Sequence, residues 1–136
     1  MAGYSGTPLP KKLGLTSGQR VALVNAPASF PAALGPLPEG VTLGAGAGRG
    51  RLDLALLFAT REAALRREFA RLAVRLEPAG GLWVAWPKKA AKVDTDLVED
   101  VVRRVGLDAG LVDVKVCAID EVWSGLKFVR RVKDRP

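Results

Sequence analysis

Apolar positions along the chain change their spacing several times, and each change marks an element. Arg20 to Asn25 (RVALVN) is a short valine-rich run closed by Pro27, the pattern of a strand buried on both faces of a sheet. Leu52 to Ala59 (LDLALLFA) and Leu82 to Trp86 (LWVAW) repeat it, the latter ended by Pro87. Between them Leu65, Phe69, Leu72 and Leu76 recur at intervals of four, three and four. That period predicts a helix over Thr60 to Glu77, with Thr60 as N-cap, Glu62 in the first turn and Pro78, Gly80 and Gly81 as its stop. A second helix is predicted from a Thr95 cap through Val105, on a stripe of Val98, Val101, Val102 and Val105, with Gly106 as the left-handed C-cap.

The remaining segments are shorter. Residues 1–18 are rich in Gly, Pro, Ser and Thr and read as an N-terminal arm without a regular element, ahead of a single domain over 19–136. Ser29 to Leu34 allows only a brief helix, because Pro31, Gly35, Pro36 and Pro38 interrupt it, and Val41 to Leu43 forms a minimal strand. Leu111 to Ile119 and Leu126 to Val132 close the chain as two strands joined by the polar turn Asp120 to Gly125, too short a link for anything but antiparallel pairing. Strands alternating with helices, then a closing hairpin, predict an α/β fold: a Rossmann-like three-layer sandwich, mostly parallel, with an antiparallel C-terminal strand pair. A length of 136 residues suits one such domain.

Composition changes the picture chiefly by exclusion. There is no histidine, so Ser-His and Cys-His nucleophile pairs, imidazole bases and histidine metal sites are closed to this chain. Cys117 is the single cysteine, which rules out an intramolecular disulfide or a thiolate cluster and fits a reducing compartment. No apolar run approaches bilayer length, and the start MAGYSGTPLPKK lacks the charged lead and apolar stretch of a secretory signal, so the expected location is the cytoplasm, without membrane contact.

The net charge of +7 is segregated. Residues 61–92 hold eight cations against three anions, residues 93–125 three against eight, and residues 126–136 five against one. Such a basic surface suits an acidic protein face, a nucleotide or nucleic acid. Arg67, Arg71 and Arg75, four apart, form a candidate basic face opposite the apolar helix positions; the alternative is a solvated face tied to Glu68.

Ligands of open α/β sheets sit at the carboxyl ends of the strands, which makes Asn25, Thr60, Lys88 and Lys89 the candidate anion or ligand crevice. Gly44, Gly46, Gly48 and Gly50 invite a dinucleotide or S-adenosylmethionine reading, but they run into a strand instead of joining the first strand to a helix, so a flexible linker is expected there. Asp94, Asp96, Glu99 and Asp100 are oxygen ligands by type, yet helix-dipole complementarity and pairs from Glu99 to Arg103 and Asp100 to Arg104 account for them, and no metal is expected. Cys117, between Val116 and Ala118, is expected to be a buried, inert thiol. Trp123 reads either as core or as a plate facing a ligand.

Two resemblances add to this. The order LDLALLF, helix, GGLWVAWPK, helix, VDVKVCAID and SGLKFVRR resembles the second half of the class I methyltransferase fold. The words GYSGTPLPKKLG, VALVNAP, LWVAWPKK, TDLVEDVVRRVGL and DVKVCAIDEVWSGLKF are similar to an uncharacterised bacterial family, domain of unknown function 3052, which implies no activity or site. A working methyltransferase of this fold would carry glycines after the first strand and a carboxylate ending the second, where this chain has Asn25-Ala26-Pro27 and Gly44. The expectation is therefore a non-catalytic regulatory or interaction module with a basic face and no cofactor; the alternative is a nucleotide- or S-adenosylmethionine-binding enzyme whose site these motifs do not display.

Overall fold

The computed structural model describes residues 7–135. Six strands form one sheet, β1 (Arg20–Val24), β2 (Thr42–Gly44), β3 (Leu52–Phe58), β4 (Leu76–Pro87), β5 (Leu111–Ala118) and β6 (Trp123–Arg130), in the order β2-β1-β3-β4-β6-β5. The first four run parallel; β6 is antiparallel to both β4 and β5. The α/β sandwich with an antiparallel C-terminal pair is the fold observed. Among the described residues no helix is long and apolar enough to cross a membrane.

The two sheet faces carry separate cores. Helices α3 (Glu62–Ala73) and α4 (Glu99–Asp108) cover one face, where Leu65, Phe69, Leu72, Val102 and Val105 meet Ala55, Leu57, Leu82, Val84 and Phe128. The short helices α1 (Leu9–Leu13) and α2 (Phe30–Leu34) cover the other, where Leu13, Phe30 and Leu34 meet Leu54, Leu56, Phe58 and Trp83. This two-sided burial is why β3 and β4 read as continuous apolar runs. Burying each large side chain from water stabilises the domain by about 1.5–3 kcal/mol.

Several boundaries differ from the expected ones. The arm contains α1, whose Leu13 carbonyl accepts a hydrogen bond from buried Trp83 Nε1 at 2.9 Å. Helix α3 stops at Ala73, and Leu76, though at helical spacing, pairs with Leu52 as the start of β4; Pro78, Gly80 and Gly81 therefore lie inside a strand, at a register shift opposite Leu52 and Leu54. Arg130 closes the helix end instead, its guanidinium donating to the carbonyls of Ala73, Leu76 and Glu77 at 2.8–3.0 Å. Thr60 is not the α3 cap: its carbonyl accepts from Thr95 Oγ1 at 2.6 Å and from the Asp96 N–H at 3.3 Å, while the Asp96 carboxylate takes the Glu62 N–H at 2.8 Å. Thr95 likewise does not cap α4, which begins four residues later at Glu99, and Gly106 lies within that helix, the left-handed position falling to Gly110 at φ 92°. Strand β6 starts at Trp123, which shortens the last turn.

The link from β2 to β3 has no helix. Its loop crosses β1 on the α3 side, with Gly46 so close to Val24 that a Cβ there would lie 2.5 Å from Val24 Cγ2. Gly46 also has φ 88°, a region an L side chain avoids.

Candidate functional site

Strand order reverses at β1, which has β2 on one side and β3 on the other, so the crevice at the carboxyl ends of β1 and β3 is the switch point at which α/β folds hold ligands. A cavity of about 250 Å³ opens there, lined by Asn25 after β1, Phe58 and Thr60 at the end of β3, Arg61 and Glu68 from the start and middle of α3, and Trp123 at the start of β6. Asn25 sits at φ 59°, a left-handed turn that an asparagine tolerates better than most residues.

Trp123 is half-buried and stands edge-on to Phe58, 5.0 Å between ring centres at 86°, so it is both core and cavity wall. Its backbone N–H donates to Asp120 Oδ1 at 2.8 Å and its carbonyl accepts from the Ile119 N–H at 2.9 Å, which fixes the Trp123 backbone on the turn. Glu68 accepts from Arg71 at 2.7 and 3.1 Å, and Arg61 pairs with Asp94. The Asn25 amide, the Thr60 hydroxyl and the Trp123 indole N–H have no partner among the described residues, which leaves two groups that donate and accept and one donor for a ligand.

The four crevice residues do not share one cavity. Asn25 and Thr60 line this one; Lys88 and Lys89, after β4, line another of about 480 Å³ with Trp86, Val98 and Ser124. The bond from Thr95 to the Thr60 carbonyl runs between the two. Glu68 and Trp123 complete the first cavity and were not among the crevice residues expected from sequence. The signal for Glu68 was its place two turns along α3 from Arg61; Trp123 reads from the sequence as core or a ligand-facing plate, but its place beside the β1 and β3 ends comes only through β6 pairing with β4.

The basic face divides. Arg71 and Arg75 turn inward to the loop carbonyls of Gly46 and Gly50 at 2.7–2.8 Å, while Arg67 stays exposed beside Glu68 at 3.7 Å. On α4, Glu99 pairs with Arg103 at 2.7 Å, but Asp100 also faces Arg103, at 3.4 Å, and not Arg104. Among the described residues no group of three or more acidic or thiol side chains is placed to hold a metal ion. Cys117 is half-buried on the edge strand β5, less enclosed than expected; burial pushes its thiol pKa up, against the pull of Lys12 and Lys115.

No family model matches the chain, so the second resemblance is not confirmed, and no curated protein matches it. Solved structures do. The chain is similar to magnesium protoporphyrin IX methyltransferase from Synechocystis with bound SAM, at TM-score 0.58 and 12% identity over 90% of this chain and 74% of that one. A SAM-dependent methyltransferase from Aquifex aeolicus aligns at TM-score 0.53 and 16% identity over 88% and 86%. The pyocyanin biosynthetic protein PhzM aligns at TM-score 0.66 and 12% identity over 90% of this chain and 53% of its own. Identities this low establish the shared methyltransferase-like fold. They also correct the expectation of a non-catalytic module: two of these neighbours are methyltransferases by name, one with SAM bound and one SAM-dependent, which favours the alternative.

Proposed function

We propose that the chain is an S-adenosylmethionine-binding enzyme with its site in the cavity between the ends of β1 and β3. The observation that carries this is a cavity at the switch point of a methyltransferase-like sheet, lined by polar groups that the fold leaves unpaired. The cavity chemistry fits the ligand by type. Trp123 offers an indole to an adenine, Glu68 a carboxylate to ribose hydroxyls or an ammonium, and Asn25 and Thr60 an amide and a hydroxyl to the remaining polar atoms. Glu68 thus takes the part that a carboxylate ending β2 would play, since β2 ends in Gly44. The ligand, when bound, supplies an electrophilic methyl group on a sulfonium. With no histidine in the chain, an acceptor that loses its proton passes it to water.

Calorimetric titration tests this reading. Micromolar binding of S-adenosylmethionine, worth about 8 kcal/mol, is expected, with a matching rise in melting temperature. No heat and no thermal shift at millimolar ligand would remove the reading.

A further inference from the structure

We propose that the groove between the Gly46–Gly50 loop and the end of α3 binds the phosphates of a nucleic-acid strand, an inference independent of S-adenosylmethionine binding. The groove encloses about 430 Å³, with Arg49 and Arg51 on its loop wall and Arg71, Val74 and Arg75 on its helix wall. Four arginines thus line one space. Arg71 and Arg75 donate to the Gly46 carbonyl at 2.7 and 2.8 Å, Arg75 also to Gly50 at 2.8 Å, and Arg51 to Leu76 at 3.3 Å. A carbonyl acceptor orients a guanidinium without cancelling its charge. Among the described residues the only carboxylates paired with the four are Glu68, on Arg71 at 2.7 Å, and Glu77, at 3.9 Å from Arg51 and shared with Arg20. Arg49 has no hydrogen bond or ion pair among the described residues.

The result is a pre-oriented groove with positive charge on both walls, and Arg forks match phosphate oxygens. Among the described residues it holds no aromatic side chain, so it tracks a backbone and reads no base. Its one apolar side chain among the described residues, Val74, is 72% exposed, too little for the apolar centre of a protein interface, whereas nucleic-acid interfaces are strongly basic and polar. An acidic protein is therefore the weaker fit.

The test is fluorescence anisotropy of the full chain with a labelled single strand of about twelve nucleotides across a salt series. The variant Arg49→Gln with Arg51→Gln keeps the loop's anchors on Arg71 and Arg75. It is expected to lose at least tenfold in affinity at low salt, and its plot of log affinity against log salt should flatten by about 1.4, two phosphates at about 0.7 each. Lys88→Gln with Lys89→Gln should bind as the unaltered chain does. The proposal falls if the unaltered chain does not bind, if the arginine variant binds within twofold of it, if the lysine variant loses as much, or if polyglutamate competes as well as the strand.

Discussion

Gly106 of α4 packs against the ring of Phe128 of β6 so tightly that a Cβ on Gly106 would lie 2.0 Å from Phe128 Cε2. Phe128 cannot retreat: it is fully buried and meets Phe69 edge-on, 5.2 Å between centres. The glycine sits inside the helix for closeness, at the expense of helix propensity.

Gly106→Ala is therefore expected to destabilise the domain by about 1–3 kcal/mol, the usual scale of an overpacked core, although alanine is the better helix former. Urea unfolding should show a lower midpoint at an unchanged slope. A midpoint equal to or above that of the unaltered chain would show that α4 moves off the sheet without cost.

This glycine also shows where sequence reading works and where it stops. The apolar runs RVALV, LDLALLF and LWVAW were legible as strands because both faces of the sheet are covered, so burial leaves no alternation to misread. Gly106 was read as a helix end because local rules place glycine there; Phe128, 22 residues away, explains its interior position. Leu76 fits a helix by spacing and a strand by pairing, and Leu52 decides between them. Likewise Asn25 and Thr60 were legible as strand-end positions, whereas Glu68 and Trp123 join them only through the packing of α3 and the pairing of β6. The arginines of the groove were half visible. Arg71 and Arg75 stood out by spacing, but Arg49 and Arg51 come to them on a loop whose path rests on Gly46 against Val24.

Lys127 on β6 makes stability rise toward alkaline pH. Its stem runs over Gly81, where a Cβ would lie 2.5 Å from its Cε, and burial lowers its pKa, with Lys115 adding repulsion. The folded chain then holds this proton less tightly than the unfolded chain. The penalty is full below the folded pKa and is relieved as pH climbs from there toward the ordinary value of 10.5. Lys127→Met should be the more stable protein at neutral pH and should lack that part of the rise. Urea midpoints from pH 7 to 10 check this, and parallel curves for the two proteins would count against it.

Asn25 allows ligand binding to be separated from folding. At φ 59° it occupies a region that glycine adopts freely and that costs most L residues about 1–2 kcal/mol. Asn25→Gly relieves that strain but adds freedom to the unfolded chain, two effects of about 1 kcal/mol and opposite sign. Its stability should therefore stay within about 1 kcal/mol of the unaltered chain, whereas Asn25→Ala puts there a residue that tolerates the left-handed region less well than asparagine and should lose about that much. The amide, however, is gone from the cavity wall in both. If it bonds S-adenosylmethionine, Asn25→Gly should weaken binding about fivefold or more at nearly unchanged melting temperature, the worth of one hydrogen bond. Lys88→Gln, in the neighbouring cavity, should bind as before. Equal affinity in Asn25→Gly and the unaltered chain would exclude the β1 turn from the site and leave the ligand to Thr60, Glu68 and Trp123.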